Sequence, residues 1–317
     1  MLHILLIGNT GQLGWELERV LAPLGTVTAL DYPTIDLADE EGLRRTVRQA
    51  ARREEQKGQK GRFDVIINAA AYTAVDRAES EPALAMAVNG HAPGFLAEEA
   101  YEMGAAFMHY STDYVFDGRK ATSAGTNTSS ASISYVETDA PNPLGVYGKS
   151  KLDGELAVKK VGGAYLILRT AWVYSLRRDS FVTKVLHWAR EQRTMRIVSD
   201  QVSNPTWARA LAEATAKIFS AGGDDITGWT KERAGLYHLA GDGYASRFEW
   251  AREILRLDPR PEEHKVKELV PAKTVDFPTP SQRPLFSALE CQKFEDAFGF
   301  RLPAWKDALL QTLQGNE

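Results

Sequence analysis

The sequence predicts an α/β protein with a doubly wound parallel sheet and a smaller, irregular C-terminal domain. Over the first 170 residues, short apolar runs alternate with longer segments whose apolar residues recur at helical spacing. A glycine-rich turn directly follows the first apolar run, and the alternating pattern loosens after Ala171. Strands that alternate with helices in this way build a parallel sheet covered by helices on both faces.

The predicted strands of the sheet are short apolar runs. They cover residues 2–7, 26–30, 65–67, 106–110 and 165–169. The first run is bounded by glycine, the second ends at Asp31, and the run VII at 65–67 lies inside the third strand. Apolar runs of this length are typical of strands that are buried on both faces.

The segments between these strands are predicted to be helical. They cover residues 12–24, 41–51, 82–103 and 147–161. The first two have apolar residues at helical spacing, and the third is rich in alanine, which favours helices. Residues 52–62 are charged and interrupted by glycine, which indicates a solvated loop or a frayed helix end.

The C-terminal part follows a less regular pattern. Helices are predicted at 181–191 and 208–219, strand-like pieces at 195–199 and 236–239, and prolines cluster in 277–284. A run of Ser, Thr, Ala and Gly at 120–134 is interpreted as a flexible surface loop rather than an ordered lid.

Composition excludes several classes of protein. The 317 residues exceed what one compact core usually holds, so two domains are expected. A net charge of −4 gives no basic field for nucleic acid. The single cysteine, Cys291, excludes an internal disulfide and a cysteine-rich zinc site, and it fits a reducing cytoplasm. No basic leader and no apolar stretch of about 18 residues is present, so no membrane association is expected.

The glycine turn is the first candidate binding element. Gly8, Gly11 and Gly14 form a GxxGxxG pattern between the first strand and the first helix. Glycines here let the backbone approach a pyrophosphate and let the helix pack tightly on the sheet, with the phosphate at the positive end of the helix dipole. The pattern therefore predicts a Rossmann-type dinucleotide site, with an ordinary tight turn as the alternative.

Residues after the second and third strands extend this site. Asp31 stands where a carboxylate would accept hydrogen bonds from the adenosine ribose, which favours NADH. NADPH stays open, although no arginine lies within four residues of Asp31. Asp36 and Leu37 follow in a loop that could border the adenine ring. The small residues Ala70 and Ala71 let the next loop approach the cofactor, unless they simply begin a helix.

A tyrosine and a lysine form a candidate proton donor. Tyr147 and Lys151 are four residues apart, so they share one face of the predicted helix. A nearby ammonium would lower the pKa of the phenol toward neutrality. Lys149 is the competing lysine, but its spacing points it away. Ser111 and Thr112, after the fourth strand, both offer a hydroxyl to a substrate carbonyl, or cap a turn.

These residues and their surroundings resemble one family. The strings GNTGQLGWEL, NAAAYTAVDRAESEP, HYSTDYVFDG, YGKSK and LRTAWVY are similar to those of dTDP-4-dehydrorhamnose reductases, which belong to the extended short-chain dehydrogenase/reductases. The similarity continues through VSDQVSNPTWA and the C-terminal segment RPLFSALECQKFEDAFGF. It implies reduction of the 4-keto group of dTDP-4-dehydro-β-L-rhamnose by hydride transfer from NADPH or NADH.

The resemblance also implies site residues. Cofactor contacts fall on Gly11, Gln12, Leu13, Asp31, Asp36, Leu37, Ala71, Tyr72, Thr73 and Tyr110. The catalytic residues are Thr112, Tyr147 and Lys151, and Asp113 and Trp172 contact the sugar. The dTDP diphosphate needs cations from the second domain, for which Arg283 is the candidate; an exposed turn arginine is the alternative.

The looser pattern after Ala171 predicts how the chain divides into domains, and the resemblance bears on how it assembles. A dinucleotide-binding domain is expected at 1–175 with 205–240 returning to it, and a substrate domain at 176–204 and 241–317. Some family members hold Mg²⁺ between paired subunits. Glu16 and Glu191 match two of the ligand positions, but Gln292 stands at the third, and a neutral amide is a poorer Mg²⁺ ligand. Monomer and homodimer both stay open.

Two rival functions remain. A relative of the family is a non-catalytic NAD(P)-binding regulatory subunit of methionine adenosyltransferase, but such a subunit has no need for Thr112, Tyr147 and Lys151. A sugar-nucleotide epimerase or dehydratase is the second rival. Dehydratases typically carry an Asp-Glu pair, whereas Tyr114 follows Asp113 here.

Overall fold

The computed structural model describes residues 1–56, 58, 61–120 and 133–315. Its strands are β1 (Leu2–Ile7), β2 (Gly25–Leu30), β3 (Val65–Asn68), β4 (Ala106–Thr112), β5 (Tyr165–Thr170), β6 (Val173–Tyr174), β7 (Thr194–Val198), β8 (Val202–Ser203), β9 (Thr206–Trp207), β10 (Gly235–His238), β11 (Ala245–Ser246) and β12 (Glu268–Ala272). Six of them form one parallel sheet in the order β10-β5-β4-β3-β1-β2. The predicted α/β fold is confirmed.

Helices cover both faces of this sheet. They are α1 (Gln12–Leu21), α2 (Glu40–Gln56), α3 (Val75–Ala78), α4 (Pro82–Ala85), α5 (Ala92–Met103), α6 (Val146–Val161), α7 (Phe181–Glu191), α8 (Ala208–Ala221), α9 (Ile226–Glu232), α10 (Arg247–Leu257), α11 (Gln292–Phe298) and α12 (Trp305–Leu313). Leu17 of α1 and Leu211 of α8 share one apolar core. Val47 of α2 and Leu96 of α5 belong to a second core on the opposite face. No helix in the described part of the chain has the length and apolar content to cross a bilayer.

The order of the strands fixes where a ligand can bind. From β1 the chain moves outward to β2 and then returns to the other side of β1 at β3. The carboxyl ends of β1 and β3 therefore border the crevice where the strand order reverses, which is the usual ligand site of an open parallel sheet. Every residue of β3 and of β4 is buried, including the polar residues at their carboxyl ends.

The alanine-rich segment at 82–103 differs from the prediction of one continuous helix. A π-helical turn, Met86–His91, separates α4 from α5. Pro93 in the first turn of α5 has no N–H to continue an upstream α-helical ladder. Inside the π turn, the Asn89 side chain bonds the backbone of Tyr72 at 2.8 and 3.0 Å, so this irregular turn fixes the loop that follows β3.

Other predicted boundaries shift by a few residues. α1 ends at Leu21, where Pro23 lies in a following 3₁₀ turn, and α2 continues to Gln56, into the predicted loop. β4 runs on to Thr112, which places that residue at the end of the strand. The predicted loop at 120–134 lies mostly outside the described residues, as do residues 57, 59 and 60 of the segment 52–62.

The C-terminal part is irregular, as predicted. It contributes three small two-stranded pairs, β6 with β9, β7 with β12 and β8 with β11. β10 returns to the main sheet beside β5, and α8 packs on α1. The division into domains at 1–175, 205–240, 176–204 and 241–317 stays a prediction.

Candidate active site

A cleft of about 890 Å³ lies at the carboxyl ends of the central strands. Its lining includes fourteen of the residues predicted from the sequence: Gly8, Gly11, Gln12, Leu13, Asp31, Ala70, Ala71, Thr73, Tyr110, Thr112, Asp113, Tyr147, Lys151 and Trp172. These residues come from the turn after β1, from the ends of β2 to β5, and from α6. The fold thus brings most of the candidate site to one place.

The turn after β1 depends on two glycines for different reasons. Gly8 has a φ of 89°, and a Cβ on it would lie 2.6 Å from the backbone nitrogen of Ala70. Gly14 lies outside the cleft lining, and a Cβ there would lie 1.9 Å from the carbonyl oxygen of Gly8. Gly8 therefore permits the close approach of the loop after β3, whereas Gly14 permits close packing of α1 on the turn.

The first turn of α1 is a ready anion site. Gly11 is the N-cap in extended conformation, without a side-chain cap, and no acidic residue lies in the first turn. The amide oxygen of Gln12 accepts a hydrogen bond from Ser175 N at 2.8 Å, so that side chain is directed to another part of the site. Backbone N–H groups at the positive end of a helix dipole favour a phosphate.

The carboxylate of Asp31 fixes the same turn. Its Oδ2 accepts hydrogen bonds from Thr10 N at 2.9 Å and from Thr10 Oγ1 at 2.7 Å, and Oδ1 accepts one from Tyr32 N at 2.8 Å. Asp31 lines the cleft at the end of β2, where the sequence placed it. The negative charge at this position disfavours an additional phosphate on an adenosine ribose.

Three predicted cofactor residues have side chains outside the cleft lining. Asp36 Oδ1 accepts a hydrogen bond from Ala38 N at 2.8 Å, so it orders its own turn. Leu37 is buried in the apolar core beside α2. The hydroxyl of Tyr72 donates to Glu81 Oε2 at 2.5 Å. These side chains serve the structure of the surrounding loops, and a cofactor contact by these residues stays a prediction.

Thr112, rather than Ser111, offers its hydroxyl to the cleft. Ser111 Oγ donates to Glu155 Oε1 at 2.6 Å, inside a buried network with Arg169. Thr112 Oγ1 accepts from Tyr114 N and donates to Asp113 Oδ1, both at 3.2 Å. Both residues line the cleft, and the much shorter hydrogen bond of Ser111 favours Thr112 as the donor to a substrate. The catalytic role of Thr112 stays a prediction.

Tyr147 and Lys151 project from adjacent turns of α6 into the cleft. Burial raises the pKa of Tyr147 above its usual value, and a hydrogen bond with Thr112 acts in the opposite direction. The Lys151 ammonium instead donates to the carbonyl oxygen of Tyr110 at 2.6 Å and contacts His109 Nε2 at 3.2 Å. The expectation that Lys151 lowers the pKa of Tyr147 is therefore wrong for this geometry: burial, Asp113 and Tyr114 all raise that pKa, and Lys151 does not offset them.

Asp113 is engaged more tightly than the sequence suggested. Its Oδ2 accepts hydrogen bonds from Ser203 Oγ at 2.9 Å and from Ser287 Oγ at 2.5 Å. Burial raises the pKa of Asp113, and these hydroxyl groups act against that rise. Asp113 thus ties the end of β4 to β8 and to the segment after β12, while it still lines the cleft beside Thr112.

Trp172 lines the cleft just after β5 ends at Thr170. It has a φ of 41°, which is rare for a residue with a side chain. Its indole stacks on Trp250, with ring centroids 5.5 Å apart, and the guanidinium of Arg247 lies 3.6 Å from its ring centroid. This aromatic pair and the arginine give the cleft an apolar surface beside a cation.

Arg283 lies outside the cleft lining. Its Nη2 forms an ion pair with Asp76 Oδ2 at 2.7 Å, so the charge of the predicted phosphate anchor is already balanced in part. Arg247, Arg178 and Asp179 also line the cleft, although the sequence did not predict them as site residues. One signal for Arg247 was available: Ser246 and Glu249 form the S-x-x-E pattern of a capping box, which marks Arg247 as the first residue of a helix.

Magnesium binding between two subunits stays a prediction, and the positions that match the family's ligands lack one of the carboxylates. Glu16 is buried in α1, and Gln292 donates its amide N–H to Asp296 Oδ1 at 2.8 Å. A neutral amide replaces a carboxylate at that position, which removes a charge that Mg²⁺ prefers. Within residues 1–56, 58, 61–120 and 133–315, no three His, Cys, Asp or Glu side chains gather into a metal-binding group.

Comparison with known proteins identifies the family. The model of the RmlD substrate binding domain family matches residues 2–317. A dTDP-4-dehydrorhamnose reductase of Burkholderia thailandensis is 40% identical, over 97% of this chain and 97% of that protein. The crystal structure of a dTDP-4-dehydrorhamnose reductase of Clostridium acetobutylicum is 31% identical, covers 98% of each chain and superposes with a TM-score of 0.81.

A second solved structure carries a bound dinucleotide. The dTDP-4-dehydrorhamnose reductase of Bacillus anthracis in complex with NADP is 27% identical, covers 99% of each chain and has a TM-score of 0.81. Full-length similarity of sequence and of fold agrees with the motifs that line the cleft. The chain therefore belongs to the RmlD family of dTDP-4-dehydrorhamnose reductases.

Proposed function

We propose that the chain reduces the 4-keto group of dTDP-4-dehydro-β-L-rhamnose to dTDP-L-rhamnose, with NADPH or NADH as reductant. The observation that carries this proposal is the meeting of Thr112, Tyr147 and Lys151 with the glycine turn in one cleft. The similarity to dTDP-4-dehydrorhamnose reductases over nearly the whole chain supports the same substrate. The catalytic set disfavours a regulatory subunit, because mere binding needs no proton donor.

The cofactor is held by the elements around the glycine turn. The N–H groups of Gln12 and Leu13 would bind the pyrophosphate, and Gly11 would let it approach because it carries no side chain. The Gly11 N–H itself donates to the carbonyl oxygen of Gly8 at 3.1 Å and holds the turn. Asp31 accepts hydrogen bonds from the adenosine ribose. Ala70, Ala71, Thr73 and Tyr110 line the path toward the reacting end. When bound, the reduced dinucleotide supplies the hydride.

Tyr147 is the proton donor in this proposal. Burial raises the pKa of Tyr147, so the phenol keeps its proton until charge develops on the ketone oxygen. At that point the phenol gives its proton to the oxygen. Lys151, one helical turn away, would offer the remaining N–H of its ammonium to the nicotinamide ribose and so hold the reacting ring near Tyr147.

Thr112 polarises the ketone. Its single hydroxyl proton lies toward Asp113 Oδ1 at 3.2 Å, a distance typical of a weak hydrogen bond. A ketone oxygen that gains negative charge is a better acceptor, so the proton turns toward the substrate as the reaction proceeds. Asp113 still accepts hydrogen bonds from Ser203 and Ser287, so it does not need a new donor when the Thr112 proton turns away.

The acidic turn around Asp31 favours NADH, while the NADP complex of the Bacillus anthracis protein supports NADPH in the family. Both cofactors are therefore proposed. Trp172 offers its indole to the deoxysugar, and Asp113 a contact to the same sugar. A cytoplasmic location and a monomeric or homodimeric state complete the proposal, the former supported by the single cysteine.

The test is a reductase assay. The purified chain is mixed with dTDP-4-dehydro-β-L-rhamnose and either NADPH or NADH, and loss of the reduced cofactor is followed by its absorbance. Tyr147→Phe should reduce kcat at least about 100-fold, since general acid catalysis contributes that much or more. The control is Tyr101→Phe, an exposed tyrosine of α5 outside the cleft. Full activity of Tyr147→Phe would refute the proton donor, and a wild type that binds cofactor without oxidising it would support the regulatory alternative.

A further inference from the structure

Arg247 is a cation of the cleft that the proposed mechanism does not use. It is the first residue of α10, and its guanidinium lies against three aromatic rings. The distances from its Cζ to the ring centroids are 3.6 Å for Trp172, 4.8 Å for Phe181 and 5.5 Å for Trp250. Flat stacking on aromatic faces holds a guanidinium in place while its N–H groups stay available at the edge.

Among the described residues, Arg247 has no carboxylate as an ion-pair partner, and its guanidinium makes no hydrogen bond with another side chain. The nearest acid along the chain, Glu249, is used in the capping box: its Oε2 accepts from Ser246 N at 2.8 Å and from Ser246 Oγ at 2.9 Å. Asp113 attracts Arg247 electrostatically without forming an ion pair with it, and its Oδ2 is held by Ser203 and Ser287. Arg247 therefore differs from Arg283, whose charge is paired with Asp76.

Arg247 stays charged at neutral pH. Burial lowers its pKa, but only to about 10, so the guanidinium keeps its proton. A half-buried charge without a counter-ion is unfavourable for folding, and an anionic ligand relieves that cost. The positive charge of Arg247 is therefore available to an anionic ligand beside the apolar face of Trp172.

We propose that Arg247 binds the diphosphate of the nucleotide sugar, at the phosphate that carries the sugar. This inference rests on the proposed function, which supplies a ligand with both an apolar deoxysugar and a diphosphate. In this proposal, the indole of Trp172 contacts the deoxysugar, and Arg247, which lies on the same indole, contacts the phosphate bonded to that sugar. Neighbouring groups of the ligand thus meet neighbouring side chains. The charges of Arg247 and Arg283 both act to lower the pKa of Tyr114, against the effect of burial. Arg283 lies outside the cleft lining, although its Nη1 is buried without a hydrogen-bond partner among the described residues. Of the two arginines, Arg247 is therefore the one that can reach a ligand in the cleft.

The test uses dTDP as the probe. Arg247→Met keeps an unbranched side chain on the indole but removes the charge and its donors, and Arg247→Lys keeps the charge alone. We expect Arg247→Met to weaken dTDP binding, measured by calorimetry, about 10- to 100-fold, since a hydrogen bond to a charged group contributes about 1.5–3 kcal/mol. Arg247→Lys should recover part of that loss. Binding of NADPH should stay within about 2-fold, because the cofactor diphosphate lies at the glycine turn.

Two controls separate phosphate binding from a structural role. Arg233→Met removes a guanidinium that lies 4.4 Å from the ring centroid of Trp229, outside the cleft, and should leave dTDP binding unchanged. Thymidine, which lacks phosphate, should bind the wild type and Arg247→Met equally. An equal loss for thymidine and dTDP would mean that Arg247 only supports the shape of the site, and the proposal would be wrong.

The result also separates this proposal from the proposed function. Unchanged dTDP binding by Arg247→Met, in a chain that reduces the keto sugar, would overturn the role of Arg247 and leave the reductase intact. Binding of dTDP that depends on Arg247, without reduction of the keto sugar, would support the diphosphate site and refute the reaction. If Arg247→Met does not fold, the comparison of dTDP with thymidine is made with Arg247→Lys, whose loss must again be confined to dTDP.

Discussion

Lys151 Nζ lies 2.6 Å from the carbonyl oxygen of Tyr110, which joins helix α6 to strand β4 inside the cleft. The same nitrogen contacts Nε2 of His109 at 3.2 Å. Burial is the main reason that the pKa of His109 falls well below its usual value, so this imidazole is neutral. Burial likewise lowers the pKa of Lys151, to about 8. Desolvation therefore places the pKa of Lys151 close to neutral pH.

This relationship predicts the alkaline limit of activity. The Lys151 ammonium is charged below pH 8 and loses its proton above it. Because the burial of Tyr147 raises its pKa, the phenol keeps its proton over the same range. We therefore expect kcat/KM for the keto sugar to fall as pH rises through about 8, and steady-state assays across this range measure it.

Lys151→Arg identifies the group responsible. A guanidinium does not lose its proton in this range, so the remaining activity of the variant should not fall near pH 8. If the activity of Lys151→Arg still falls near pH 8, the loss of activity at alkaline pH belongs to the titration of another residue.

Thr112 should contribute through its hydroxyl alone. Thr112→Val keeps the shape of the side chain but removes the group that donates to Asp113 and hydrogen-bonds with Tyr147. We expect kcat to fall about 100-fold, as when one donor to a developing oxyanion is lost, with the Kd for NADPH nearly unchanged. Thr112→Ser should retain most of the activity. Equal losses in Val and Ser variants would indicate that packing, not the hydroxyl, is what matters.

The buried ion pair beneath the site should dominate local stability. Arg169 bonds Glu155 through two contacts of 2.7 Å, and their side chains are 2% and 0% exposed. Arg169→Met leaves the Glu155 charge buried and unpaired, so the free energy of unfolding should drop by about 3–5 kcal/mol in urea titrations. The exposed pair of Arg256 and Glu253 is the control, and Arg256→Met should cost less than about 1 kcal/mol. Similar losses in both variants would contradict the importance of burial.

The close packing of the glycine turn gives a further prediction. In Gly14→Ala, the new Cβ would lie 1.9 Å from the Gly8 carbonyl oxygen, so α1 or the turn must move. Loss of NADPH binding and a lower Tm are expected, by fluorescence titration and thermal unfolding. Gly235→Ala is the matched control in β10, because its Cβ would have no neighbour closer than 3.6 Å. Normal cofactor affinity in Gly14→Ala would show that the turn tolerates the shift.

Local patterns predicted much of this site, and long-range contacts account for what they missed. The glycine turn, the tyrosine and lysine on one helix face, and the end of β4 are each set by residues close in sequence. The choice between Ser111 and Thr112 depended on Glu155, which belongs to helix α6, more than 40 residues along the chain. Likewise, the partner of Arg283 is Asp76, in the short helix α3 after β3.

The same reason explains why Arg247 escaped prediction. Its place in the cleft depends on Trp172 and Phe181, which belong to other elements of the chain. The π turn before α5 is a similar case, since Asn89 stabilises it through the backbone of Tyr72 rather than through its own helix. Residues whose roles depend on a partner from a remote segment cannot be recognised from local periodicity.

The most direct test follows the hydrogen itself. NADPH labelled with deuterium at the transferable position of the nicotinamide is incubated with the chain and dTDP-4-dehydro-β-L-rhamnose, and the sugar product is isolated for NMR. We expect deuterium on carbon 4 of dTDP-L-rhamnose, and only a small fraction of that label when Tyr147→Phe replaces the wild type for the same time. Consumption of the labelled cofactor without deuterium at that carbon would contradict the proposed hydride transfer, and equal labelling by both proteins would contradict the role of Tyr147.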